Sequence, residues 1–82
     1  MSSTRSELQE VQKKVRLYLS VNRFDAAEKL LKATIAEYGP VANIHNLLGV
    51  TFHKQSRFPE AIQEFNSALA ANAEFVEAAL NL

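Results

Sequence analysis

Leu48-Gly49-Val50-Thr51-Phe52, followed after eight intervening residues by Ala61-Ile62-Gln63-Glu64-Phe65-Asn66-Ser67-Ala68, is the stretch on which the fold turns. Its small residues, Gly49, Ala61 and Ala68, allow two helix axes to approach toward the lower end of the ~8–10 Å range, and its large ones, Leu48, Phe52 and Phe65, fill the space between them. Thirty-four positions earlier the same residue types recur in phase. Tyr18 aligns with Phe52, Arg23-Phe24 with Arg57-Phe58, Ala27 with Ala61, Leu31 with Phe65 and Ala36 with Ala70. A period of this length marks a repeated supersecondary unit, which cannot bury its apolar face alone and gains stability by stacking on a neighbour.

Leu48-Gly49, Phe52, Ala61, Phe65 and Ala68 resemble the tetratricopeptide-repeat (TPR) pattern, Leu-Gly-x-x-Tyr followed by Ala-x-x-x-Phe-x-x-Ala. His45 stands where that family has Trp, and Ala73 where it has a closing Pro. The first copy is looser: Val11 and Tyr18 fit, but Lys14-Val15 replace Leu-Gly, and Leu31 and Thr34 replace the aromatic and the second Ala. A third copy opens near Glu74, with Ala79, Asn81 and Leu82 similar to Trp-x-Asn-Leu. The resemblance implies an all-α fold class of antiparallel helical hairpins stacked as a right-handed α-solenoid. One domain is expected over 1–82, with repeat one at about 8–41, repeat two at about 42–75 and a truncated third repeat or capping helix at about 76–82.

Local signals place four helices and the start of a fifth. Thr4 with Glu7, or Ser6 with Gln9, offers a capping box for the first, whose apolar face is Leu8, Val11, Val15 and Tyr18. It runs to about Ser20 or Val21, and Asn22-Arg23-Phe24 makes the turn. Asp25, with Glu28 as reciprocal partner, is expected to cap a second helix carrying Ala27, Leu30, Leu31, Thr34, Ile35 and Tyr38. Gly39 suits a left-handed stop and Pro40 forbids continuation. The third helix, about Val41 to Lys54, has Ile44, Leu47, Leu48 and Phe52 as anchors and His53 and Lys54 at its electronegative end. Pro59 fits the first position of the fourth, with Ile62, Phe65, Ala68 and Leu69 as its buried face. Asn72 is the expected stop, and Glu74 or Phe75 opens the fifth segment.

Composition narrows function. In 82 residues, basic and acidic side chains balance at nine each, so the field that draws a chain onto a phosphate backbone is missing; no nucleic-acid partner is expected. There is no cysteine, which a reducing cytosol permits, and no apolar run near the roughly 20 residues needed to span a bilayer. The amino terminus lacks a signal-peptide core, so a soluble cytoplasmic chain with no membrane partner is expected. His45 and His53 are eight residues apart on one helix, about 12 Å along its axis, too far to share a metal ion. Glu60 and Glu64 read as a solvated helix face, and His45 as filling the space of the family's Trp. No acid, base, nucleophile or phosphate-loop constellation can be assembled, so neither enzymatic activity nor a cofactor is expected.

The resemblance implies a protein–protein interaction module, a scaffold or adaptor whose concave groove is lined by the first helix of each hairpin. Placed on that pattern, Gln9, Gln12, Lys13, Arg16, Leu19 and Ser20 fall on the groove in repeat one, and Asn43, Asn46, Leu47, Val50, His53 and Lys54 in repeat two. Such an amide-rich, mildly basic surface would take a polar or acidic protein or peptide. The carboxylate clamp by which some members hold chaperone tails would fall on Gln12, Arg16, Leu47, Glu77 and Asn81, which do not match it. The alternative expectation is a self-associating helical unit that forms a homo-oligomer through a C-terminal edge of Phe75, Val76, Ala79, Leu80 and Leu82.

Overall fold

The computed structural model describes residues 4–71, the first of them through its backbone alone. They form α1 (Thr4–Ser20), α2 (Phe24–Tyr38), α3 (Ala42–Lys54) and α4 (Phe58–Ala71), joined by short turns, with no strand among the described residues. The expected Asn72 stop, the fifth helix and the edge from Phe75 to Leu82 lie outside the described residues, as does the Thr4 side chain.

The thirty-four-residue period is written into the backbone. After α1, Asn22 N–H donates to Leu19 C=O and Arg23 N–H to Tyr18 C=O; after α3, Ser56 N–H donates to His53 C=O and Arg57 N–H to Phe52 C=O. Both turns pass through a left-handed residue, Asn22 at φ 60° and Ser56 at φ 61°. This paired closure satisfies helix carbonyls that would otherwise lack donors. It also fixes where the next helix starts, because Arg23 C=O accepts from Ala27 N–H and Arg57 C=O from Ala61 N–H.

That geometry corrects three local expectations. The residue preceding α2 is Arg23, which makes no side-chain cap; Asp25 lies inside the first turn, where its charge suits the helix dipole but its carboxylate cannot cap. Ser6 lies inside α1 and does not cap it. Pro59 is the second residue of α4, one later than expected, and its missing amide is still among the four that have no intrahelical acceptor. Gly39 ends α2 as expected, at φ +81° with its N–H on Ile35 C=O.

The core is continuous across both hairpins: Val15, Leu19, Ala27, Leu31, Ile44, Leu48, Phe52, Ala61 and Phe65 are all buried in one cluster. Helix α3 is central and packs against α4, α2 and α1. The α3–α4 crossing is tightest at Gly49, where an added Cβ would stand 2.5 Å from Cε1 of Phe65. Buried Thr34 and Thr51 dispose of their hydroxyls by donating to the carbonyls of Leu30 and Leu47. Ile62, expected in the core, is instead 48 % exposed, because it occupies the place on α4 that Glu28 occupies on α2, facing away from its own hairpin.

Candidate functional site: the α1–α3 face and the junction between repeats

Helices α1 and α3 touch directly and form one row of the stack, so the side chains on their shared open side constitute the candidate groove. Of the residues assigned to it from sequence, Gln9, Lys13, Arg16, Ser20, Asn43, His53 and Lys54 are exposed, and Gln12 and Val50 are half-buried. Leu19, Asn46 and Leu47 are buried and belong to the packing beneath the face. Asn46 is not an orphan there, since no buried side-chain polar atom among the described residues lacks a partner. The His53 ring meets Phe58 edge to face, 5.2 Å between centroids, which fixes one end of the face against the start of α4. The exposed cations Arg16 and Lys54 give this side its positive character, whereas Lys13, assigned to the groove from sequence, lines a separate cleft with Lys14 and Leu17.

Between repeats lies a polar cluster that reading the sequence missed. Arg57 Nη1 donates to Glu28 of α2 at 3.0 Å, while Nε and Nη2 grip Glu60 at 2.9 and 2.5 Å. The guanidinium lies 4.4 Å from the Phe52 ring centroid, and Lys32, which pairs with Glu28 at 2.8 Å, approaches the same ring at 5.9 Å. Hydrogen bonds from Lys32 first, and from Arg57, hold the Glu28 carboxyl below its ordinary value, and Arg57 does the same for Glu60. The two carboxylates, Glu60 foremost, push Arg57 upward in turn. The repeated Arg23-Phe24 and Arg57-Phe58 pairs carry the signal for this cluster in the sequence.

His45 is half-buried between α3 and α4, and its Nδ1 lies 2.8 Å from Oε1 of Glu64. Glu60 lies on the solvated face expected, where it pairs with Arg57, whereas Glu64 is half-buried as a partner in the helix crossing and does not belong to that face. In repeat one the equivalent positions hold Val11 and Leu30, both packed against the core. At the far ends of α1 and α2, the Tyr38 hydroxyl donates to Glu7, and that hydrogen bond raises the phenol's pKa. Among the described residues no group of three or more His, Cys, Asp or Glu is placed to hold a metal ion, and no helix is long and apolar enough to cross a membrane.

Two helical hairpins with one shared core and identical turns define a helical-repeat protein. The chain matches the tetratricopeptide-repeat family over residues 13–80 and belongs to it. Neither a curated protein nor a solved structure matches the chain. Members of this family are generally protein–protein interaction modules and typically not catalysts.

Proposed function

We infer that this chain is a cytoplasmic scaffold or adaptor that binds a segment of another protein across the α1–α3 face, without catalysing a reaction. The observation that carries the reading is the exposed amide and cationic set Gln9, Arg16, Asn43, His53 and Lys54, with half-buried Gln12 beside it, above a packed floor. Amides can bond a peptide backbone, and the two cations favour acidic side chains. The test is fluorescence polarisation with a panel of labelled acidic and neutral peptides. Acidic peptides bind more tightly, and Arg16→Glu with Lys54→Glu lowers that affinity at least tenfold. A panel that ignores the double variant removes the groove reading. Because Gln12, Leu47, Glu77 and Asn81 break the clamp pattern, the acidic tails of heat-shock chaperones are not ligands, which micromolar binding in calorimetry would overturn.

A second reading, self-association into a homo-oligomer, is favoured by one observation: Phe58 and Ile62 stand one turn apart on α4 and are each 48 % exposed. It predicts a concentration-dependent dimer in sedimentation that Ile62→Glu dissolves. A monomer at high micromolar concentration eliminates it.

A further inference from the structure

Repeat symmetry shows which surface of α1 lacks its cover. Glu10, Lys14 and Leu17 are exposed, yet their counterparts thirty-four residues on, Ile44, Leu48 and Thr51, are buried. Both sets belong to the first helix of a hairpin and have the same partner helix within it. Among the described residues, the difference follows what α3 has and α1 does not, a preceding helix, α2, laid against it. The uncovered face of α1 contains a cleft of about 450 Å³ lined by Glu10, Val11, Lys13, Lys14, Leu17 and Leu30. Leu17 and Val21 along it are 65 % and 63 % exposed.

The geometry points to this end face as a second interaction surface, one that accepts an amphipathic helix of a partner protein bearing an acidic residue beside its apolar stripe. The internal junction supplies the template for that chemistry. There Glu28 of α2, one residue after the buried Ala27 and three before the buried Leu31, reaches the guanidinium of Arg57. Arg23 holds the same place at the end face as Arg57 does at the junction, and its side chain has no ion pair or hydrogen bond among the described residues. Lys13 and Lys14 outnumber the one acidic residue of the lining, Glu10, along the cleft. An incoming acidic group placed as Glu28 is at the junction therefore meets an unpaired arginine, while its apolar neighbours cover Leu17 and the lysines line the cleft farther along α1. Charges where α3 has Leu47 and Leu48 keep half of the face hydrated, the apolar centre and polar rim of an exchangeable interface and not of a permanent core. The α4 helix of a second copy is a poor occupant, because Ile62 stands where Glu28 would be needed.

The probe is a synthetic peptide with the sequence of α2, Phe24–Tyr38, locked helical by a lactam on its exposed side and titrated into the intact chain. Binding is expected, with at least a tenfold loss on Leu17→Asp and on Arg23→Glu. A Glu28→Lys peptide is expected to recover at least half of that loss against Arg23→Glu. All three altered side chains are surface residues of chain or probe, and circular dichroism reports whether the fold is intact. No binding to the wild-type chain overturns the proposal, as does binding that ignores Leu17→Asp and Arg23→Glu, which would mean the peptide had displaced α2 itself. A homodimer that Leu17→Asp dissolves overturns it too, by assigning the face to a second copy. Arg16→Glu with Lys54→Glu, on the other face, leaves this binding unchanged, so the end face and the groove stand or fall separately.

Discussion

A methyl group added at Gly49 has nowhere to go. It would stand 2.5 and 2.7 Å from two carbons of Phe65, whose ring is buried in the core. Alanine is the better helix former by about 1 kcal/mol, but overpacking a closed site costs about 1–3 kcal/mol. Gly49→Ala is therefore expected to destabilise, by up to about 2 kcal/mol in urea unfolding once the helix gain is set against the overpacking cost; a variant more stable than the parent would show that the α3–α4 crossing is looser than described. Glu28 carries a different kind of prediction. Its carboxyl is held below the ordinary value of 4.5 by Lys32 and Arg57, so the fold favours the ionised form. The stability this confers is fully present above the ordinary value and is lost as pH falls through the lowered one. Glu28→Gln should thus melt below the parent at pH 7, with the gap closing as pH falls below the ordinary carboxylate value and through the lowered one. A gap independent of pH would make the junction a matter of packing alone.

The two hairpins are versions of one element with one crossing rebuilt, Val11 and Leu30 in the first and His45 and Glu64 in the second. A half-buried imidazole and carboxylate are tolerable because each satisfies the other, and removing one strands its partner at full desolvation cost. His45→Val and Glu64→Leu should each destabilise, while the double variant, which installs the apolar pair of repeat one, should recover most of the loss. The expected coupling is about 0.5–3 kcal/mol in a double-mutant cycle; simple additivity would contradict a direct interaction. These elements also show what the sequence could express. Period, helix count, Gly39 as a stop and the packing of Phe65 on Gly49 all follow from residue size and spacing, which are local properties. The caps were misread because Asn22 and Ser56 close their helices through left-handed backbone, which pulls the next start upstream of Asp25 and Pro59. The groove was read less well, and Leu19, Asn46 and Leu47 proved buried. Whether a residue on α1 or α3 faces a ligand or the neighbouring repeat depends on the angle between repeats, which no residue encodes alone.

At the scale of the molecule, α2 and α3 matter most, because they join two hairpins that share one core. Leu31 is fully buried on α2 within that shared cluster, with Lys32 and Glu28 reaching across to Phe52 and Arg57 beside it. In a stacked-repeat protein, stability is the sum of unit and interface terms, and the two described hairpins share a single interface. Truncating Leu31 to alanine should cost about 2–5 kcal/mol and release the hairpins together. The measurement is amide hydrogen exchange followed along α1 and α4, the first and last of the described helices. Protection at Val15 and at Phe65, each buried in its own hairpin, should fall by a similar factor in the Leu31→Ala chain. If α4 kept its protection while α1 lost it, the second hairpin would be a self-sufficient unit. Stacking would then be an accessory to the fold and not its cause. The joint loss is expected because the Gly49–Phe65 crossing closes α4 onto α3, yet the face of α3 holding Ile44, Leu48 and Thr51 is dry only while α2 lies over it.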